Sequence, residues 1–314
     1  MISENALKAV FTGALKLRSN ETCLIVTDTV KEDIGRAFYE YACGLTKRVK
    51  IIVMEPTKEH GTEPPEEISI QMLHYDVQRL ITEKSLTHTL ARREATARGA
   101  RIATMPMITV DIANRCLDID YDELKKESDW LYGLLKDSST VRVMTELGTD
   151  ITFEVGSSSF FGKDGGSFDY PGAFGNLPEG EISFSPETCD GIYIVDMTFP
   201  EIGVLNAPLT FKVRGGVVYE ISGERSEEVI ERLDRVGARA YCVAELGIGL
   251  NPKAKVIGNI LEDEKVIGTV HVAVGNNVSY GGDNDVPLHL DGVITKPDIY
   301  LDGVKLMEKG FFLR

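Results

Sequence analysis

Two of the chain's five histidines lie in its last third, each inside a segment rich in potential metal ligands. One segment reads Glu264-Lys265-Val266-Ile267-Gly268-Thr269-Val270-His271, the other His289-Leu290-Asp291. Upstream stand Asn176-Leu177-Pro178-Glu179-Gly180-Glu181 and Ala244-Glu245-Leu246-Gly247. Imidazoles and carboxylates together are the donors of a hydrolytic metal centre. His289 and Asp291 are two residues apart, so in an extended strand both side chains leave the same face and can grip one ion. Glu245 is the one charge in the apolar run Tyr241 to Gly247, and a charge held there calls for a partner or a metal. His271 interrupts the apolar run Val270 to Gly275 in the same way. Taken alone, it reads equally as a core histidine bonded to backbone.

The elements that must position these residues change character along the chain. Cys23 to Val26 and Val49 to Met54 are short apolar runs, and Val77 to Ile81 and Ala100 to Thr104 are two further strand candidates. The apolar runs suit strands buried on both faces of a parallel sheet. Helical spacing separates them, over Lys31 to Leu45, about Glu67 to Leu73 after Pro64-Pro65, and Thr87 to Arg98 before Gly99. A further helix is expected over Asp120 to Leu135. This rhythm predicts an open, mainly parallel α/β sheet with right-handed crossovers.

After about residue 138 the runs become short, β-type and punctuated by Gly, Pro, Asn and Asp. They cover Val141 to Glu146, Ile151 to Val155, Ile182 to Phe184, Gly191 to Phe199, Leu209 to Val213 and Val217 to Ile221. One helix, about Ser226 to Val236, interrupts them. The expectation is an α/β domain over 1–138 and a mostly β, metal-binding domain over 139–314. Gly162 to Gly166 reads as a hairpin or loop.

Bulk properties narrow the function. Apolar content of 43% and charged content of 26% are those of a soluble globular protein, and a net charge of −15 argues against a nucleic-acid surface. No apolar run approaches the roughly 20 residues of a membrane span. Five scattered cysteines with no Cys-x-x-Cys point to reduced thiols, and with no signal-peptide pattern the expected compartment is the cytoplasm. There is no G-x-G-x-x-G after a strand, no Walker A loop, no G-x-S-x-G and no H-E-x-x-H, which argues against nucleotide binding, serine hydrolase and zincin chemistry.

As a set, and in this order over residues 176–291, the ligand-rich segments resemble the M29 family of metallo-aminopeptidases, the aminopeptidase T group. The resemblance implies metal ligands at Glu181, Glu245, His271, His289 and Asp291. It implies two divalent ions, Zn, Co or Mn, sharing a water, with Glu245 or Asp291 as the bridge. Glu181 or Glu179 would accept the proton. The implied activity is removal of N-terminal residues from short peptides, by what is expected to be a homodimer. Three departures stand out. The chain is short for that family, Gly180 occupies the position of a second glutamate, and Val278 that of a tyrosine, with Tyr280 nearby. A relative of the same fold group is an iron-dependent ring-cleaving dioxygenase that opens dihydroxypyridine. The alternative it implies is a single Fe(II) held by His271, His289 and Asp291; a metal-binding homologue without catalysis is the third reading. In the α/β half, Ser85 or Thr87 is expected to cap a helix whose N-terminus, with His88 and Arg92, could bind a substrate carboxylate. Tyr280 is a further candidate for substrate contact.

Overall fold

The computed structural model of the chain describes residues 1–156 and 161–314. Its contacts form two units. The first comprises Met1–Lys126 and Asp164–Glu179, the second Glu127–Lys163 and Gly180–Arg314. Residues 164–179 thus group with the first unit, where a single cut near 138 had put them with the second.

The first unit is built on a five-stranded parallel sheet. Its order is Val49–Met54, Cys23–Asp28, Val77–Ile81, Arg101–Thr104 and Phe174–Asn176. The central strands Cys23–Asp28 and Val77–Ile81 are buried at every position, Gln78 and Arg79 included. Helices Glu32–Leu45, Glu66–Met72 and Leu90–Ala97 connect successive strands. Leu24, Val26, Met72, Leu80, Ala95 and Ile102 meet in the core between sheet and helices. The last helix begins later than its spacing suggested. Its cap is Thr89, whose hydroxyl accepts from the Arg92 amide, and not Ser85 or Thr87.

The second unit contains two larger antiparallel sheets. The eight-stranded one runs in the order Val217–Gly223, Leu209–Arg214, Thr188–Val195, Asp150–Glu154, Thr140–Met144, Asp298–Leu301, Val304–Glu308 and Phe311–Phe312. The five-stranded one runs His289–Thr295, Thr269–Gly275, Val243–Gly249, Glu181–Phe184 and Phe161–Asp164. The stretch Gly162 to Gly166, expected as a hairpin or loop, opens within the edge strand Phe161–Asp164. The architecture is the expected α/β unit with an open parallel sheet and a mostly β unit. No helix among the described residues is long and apolar enough to cross a membrane.

Candidate metal centre

Register in the five-stranded sheet brings the ligand-type residues onto one face. His271 lies opposite Gly247 on one neighbour and Val293 on the other, and Ala273 lies opposite Glu245 and Asp291. Gly275 lies opposite His289, and Gly249 opposite Glu181. Because side chains alternate with a period of two, His271, Ala273 and Gly275 share a face with their cross-strand partners. A bulge between Val243 and Glu245 absorbs one extra residue and puts Glu245 in phase with this set.

Small residues make room for the chemistry. A Cβ built on Gly247 would stand 2.0 Å from His271 Nε2, so the imidazole lies directly over this glycine. No other residue type fits opposite it without moving the ring. Gly180 is equally constrained: its φ is +126°, and an added Cβ would meet the Asn251 amide nitrogen at 2.8 Å. The position that appeared to lack a second glutamate is one where the backbone admits only glycine.

Two groups of donors result. Glu181, Glu245 and His271 form one, Glu245, His289 and Asp291 the other, with the ligand atoms of each group within 4.8 Å of one another. Glu245 is common to both and 1% exposed. His289 Nε2 approaches its Oε2 at 2.9 Å, and His271 Nε2 its Oε1 at 3.7 Å. The second is beyond hydrogen-bond distance, and neither carboxylate oxygen has a hydrogen-bond partner. A buried carboxylate in that condition is costly unless a cation meets it.

His289 shows the same need. The Asn276 carbonyl lies 2.7 Å from Nδ1 and can only accept, so Nδ1 carries the proton. A neutral His289 then turns the Nε2 lone pair toward Asp291 Oδ1 at 3.1 Å and Glu245 Oε2 at 2.9 Å. Lone pair facing carboxylate is repulsive, and either a proton or a metal ion relieves it. In the metal-free protein the proton does so. Burial by itself lowers the pKa of His289, but Asp291 and Glu245 outweigh it and raise it well above 6.5. His271 follows the same logic: burial opposes its charge, yet Glu245, Glu181 and Asp291 push it up to about 9. Burial alone would raise Glu245, but the two imidazoles hold it well below the usual carboxylate range. The donor set therefore fits a divalent cation, which would replace these protons.

Lys265 was not singled out by its sequence. Its ammonium is 1% exposed, 2.5 Å from Glu181 Oε1 and 2.8 Å from Glu264 Oε1. Tyr280 is half-buried, and its ring lies nearly parallel to His289, with centroids 5.7 Å apart and an interplanar angle of 24°. Burial first, then the surrounding carboxylates, raise its hydroxyl pKa well above 10, so it is a neutral donor.

Three other candidates join neither group. Glu179 belongs to the first unit, where its carboxylate packs beside Gly175 and acts electrostatically on Tyr121 and Arg79. In the same unit, Arg92 donates from Nε to the Thr87 carbonyl at 2.6 Å and lies 3.9 Å over the Phe174 ring. Its charge serves the packing of its own unit. His88 is exposed, and its carbonyl accepts from Arg93.

Comparison with known proteins gives the family of the chain. The family model for 2,5-dihydroxypyridine 5,6-dioxygenase (NicX) matches residues 69–314, which contain both donor groups. The chain belongs to the NicX family. A 2,5-dihydroxypyridine 5,6-dioxygenase of Pseudomonas putida KT2440 is 24% identical over 185 residues, covering 54% of the chain but only 53% of that relative. The solved structure of the 2,5-dihydroxypyridine dioxygenase from the same organism matches with a TM-score of 0.84 at 18% identity, over 98% of this chain and 96% of that one. AmpT from Thermus thermophilus, an M29 aminopeptidase, also matches, with a TM-score of 0.69 at 15% identity over 99% of each chain. At such identities the structural likeness establishes fold alone.

The expected M29 membership is corrected: the matching family model is NicX, and the likeness to AmpT is one of fold. The expected hydrolase, an aminopeptidase acting on short peptides, is overturned. The family match and the curated relative both name a dioxygenase. The error has a physical origin, since imidazole and carboxylate donors serve hydrolytic and oxidative metals alike.

Proposed function

We propose that this chain is a metal-dependent ring-cleaving dioxygenase of the NicX type, acting on a dihydroxylated pyridine. The observation that carries the reading is the family match over residues 69–314. It is supported by the buried Glu245 carboxylate whose oxygens meet no aligned donor. The reaction breaks the C5–C6 bond of the ring and places both atoms of O2 in the product, so no other oxidant or reductant is required.

The residues that would hold the ion are His271, His289 and Asp291, with Glu245 between the two imidazoles. Two imidazoles and a carboxylate with open positions suit a single non-haem Fe(II). Bound there, Fe(II) would supply the one-electron chemistry that lets O2 react with an electron-rich ring. The chain's own groups do the rest. The Asn276 carbonyl fixes the tautomer that presents His289 Nε2 to the centre. Tyr280 offers a neutral hydroxyl and a flat ring beside His289, a surface suited to a planar heteroaromatic.

The test is oxygen uptake by protein reconstituted anaerobically with Fe(II) and given 2,5-dihydroxypyridine. The expected result is equimolar loss of O2 and of the ring's ultraviolet absorbance. No uptake with any dihydroxylated pyridine, by folded and iron-loaded protein, would contradict the proposal.

A further inference from the structure

The centre carries more donors than one ion needs. Glu181, Glu245 and His271 make one group and Glu245, His289 and Asp291 a second, and the two share Glu245 as a two-metal site would share a bridging carboxylate. One feature sets the first group apart. Glu181 Oε1 is 2.5 Å from the ammonium of Lys265, which also sits 2.8 Å from Glu264, and the lysine side chain is 1% exposed. The second group has no such cation against it among the described residues: the positive charge within reach of Asp291 is only that of an imidazole.

We infer that Lys265 acts as a built-in cation that takes Glu181 out of the ligand set and limits the centre to one divalent ion. A divalent ion between Glu181 Oε2 and His271, whose Nε2 is 3.5 Å from that oxygen, would stand across a single carboxylate from a buried ammonium. Two like charges in a site closed to water repel strongly, because little solvent screens them. Lys265 cannot swing away to relieve this, because it is buried and anchored on Glu264 as well. The local fold holds it in place. The Asn251 amide donates to the Lys265 carbonyl at 2.8 Å, and the Lys265 amide donates to Glu262 at 2.9 Å. The lysine is thus a specificity-determining residue for metal count. It acts on the ions through Glu181 and touches neither O2 nor the ring. This inference rests on the single-ion reading above and supplies its cause.

The experiment counts metal in folded protein by mass spectrometry after saturation with Mn2+ and removal of the excess. The wild type, K265M, K265R and E181Q are compared, with circular dichroism as the check on folding. The expected counts are one ion per chain in the wild type, two in K265M and one in K265R. The two Mn2+ ions of K265M should give an exchange-coupled paramagnetic resonance spectrum, absent from the wild type. E181Q should keep its single ion with affinity within a few-fold of the wild type. Two ions in the wild type, one in folded K265M, or loss of the ion in E181Q would each overturn the role given to Lys265. If K265M does not fold, E181Q and K265R decide the matter. A wild type that binds no metal would instead remove the metal-centre reading itself, so the two failures are distinguishable.

Discussion

The two large sheets of the second unit are both antiparallel, yet they are buried in opposite ways. In the eight-stranded sheet the strands alternate. Along Thr140–Met144, Asp150–Glu154 and Leu209–Arg214, buried positions such as Val141, Val143, Ile151, Phe153 and Phe211 are separated by exposed or half-exposed ones. One face packs and the other meets solvent, so its charges, such as Arg142 and Asp150, pair at the surface. In the five-stranded sheet, Val243–Gly249 and Thr269–Gly275 are buried at every position. A sheet buried on both faces should be apolar throughout, yet this one places Glu181, Glu245, His271, His289 and Asp291 on a single face. The contrast teaches that alternation explains a polar residue away, whereas full burial makes it demand a partner. The partner these five demand is a cation.

The contrast breaks most sharply at Asp291. Asp291→Ala removes an acid from the group that Glu245 and His289 complete. Metal affinity should fall by more than the roughly 10–100-fold typical of a supporting residue. Metal content and ring-opening rate should vanish together while circular dichroism is unchanged; retention of a full metal complement would refute the assignment.

Next comes Gly247→Ala, which adds a single methyl group 2.0 Å from His271 Nε2. The imidazole must move, and a loss of about 10–100-fold in metal affinity is expected. Titration with Mn2+ reads this directly. An affinity equal to wild type would mean that His271 is not a ligand.

These two residues also show what the sequence reveals and what it hides. Each of the five ligand-type residues is an isolated ionisable group in an apolar run, and that is legible without a structure. So is the central parallel strand Cys23–Asp28, which opens with the apolar run Cys23 to Val26 and is buried throughout. Phe174–Asn176 was not legible: a three-residue strand with a central glycine has no pattern, and its partner Arg101–Thr104 lies some seventy residues earlier. Lys265 was not legible either. In Glu264-Lys265 it resembles any solvated charge pair, and only the fold buries it against Glu181. Gly180 was misread as a lost acid because sequence does not display φ or the approach of Asn251. The reaction was misread because a donor inventory does not fix the metal or its chemistry.

A more moderate effect follows from pH. In the metal-free protein His271 is raised from 6.5 to about 9 by the acids around it. A group raised on folding adds stability below its unfolded pKa and loses that contribution as pH rises through the folded value. Metal-free protein should therefore lose thermal stability between about pH 6.5 and about pH 9 from this group. Metal affinity should move oppositely, rising about tenfold per pH unit for each proton displaced and levelling above about pH 9. Calorimetry in buffers of different ionisation enthalpy counts the protons released; none released would contradict the raised histidines.

The smallest effect on the centre should come from the eight-stranded sheet. Phe153→Ala should cost about 3–5 kcal/mol of folding stability because Phe153 is fully buried. Its neighbour Thr152, pointing to the opposite, half-exposed face, should tolerate serine within about 0.5 kcal/mol. Neither change should alter metal affinity. A shift in affinity from either would mean that the two sheets do not divide stability and chemistry as described.

The most direct measurement is the origin of the oxygen in the product. Iron-loaded protein is given 2,5-dihydroxypyridine under 18O2 in unlabelled water, and the ring-opened product is weighed by mass spectrometry. Both new oxygen atoms should carry the label. A product whose new oxygen comes from water would contradict it, because the centre would then be activating water and not O2.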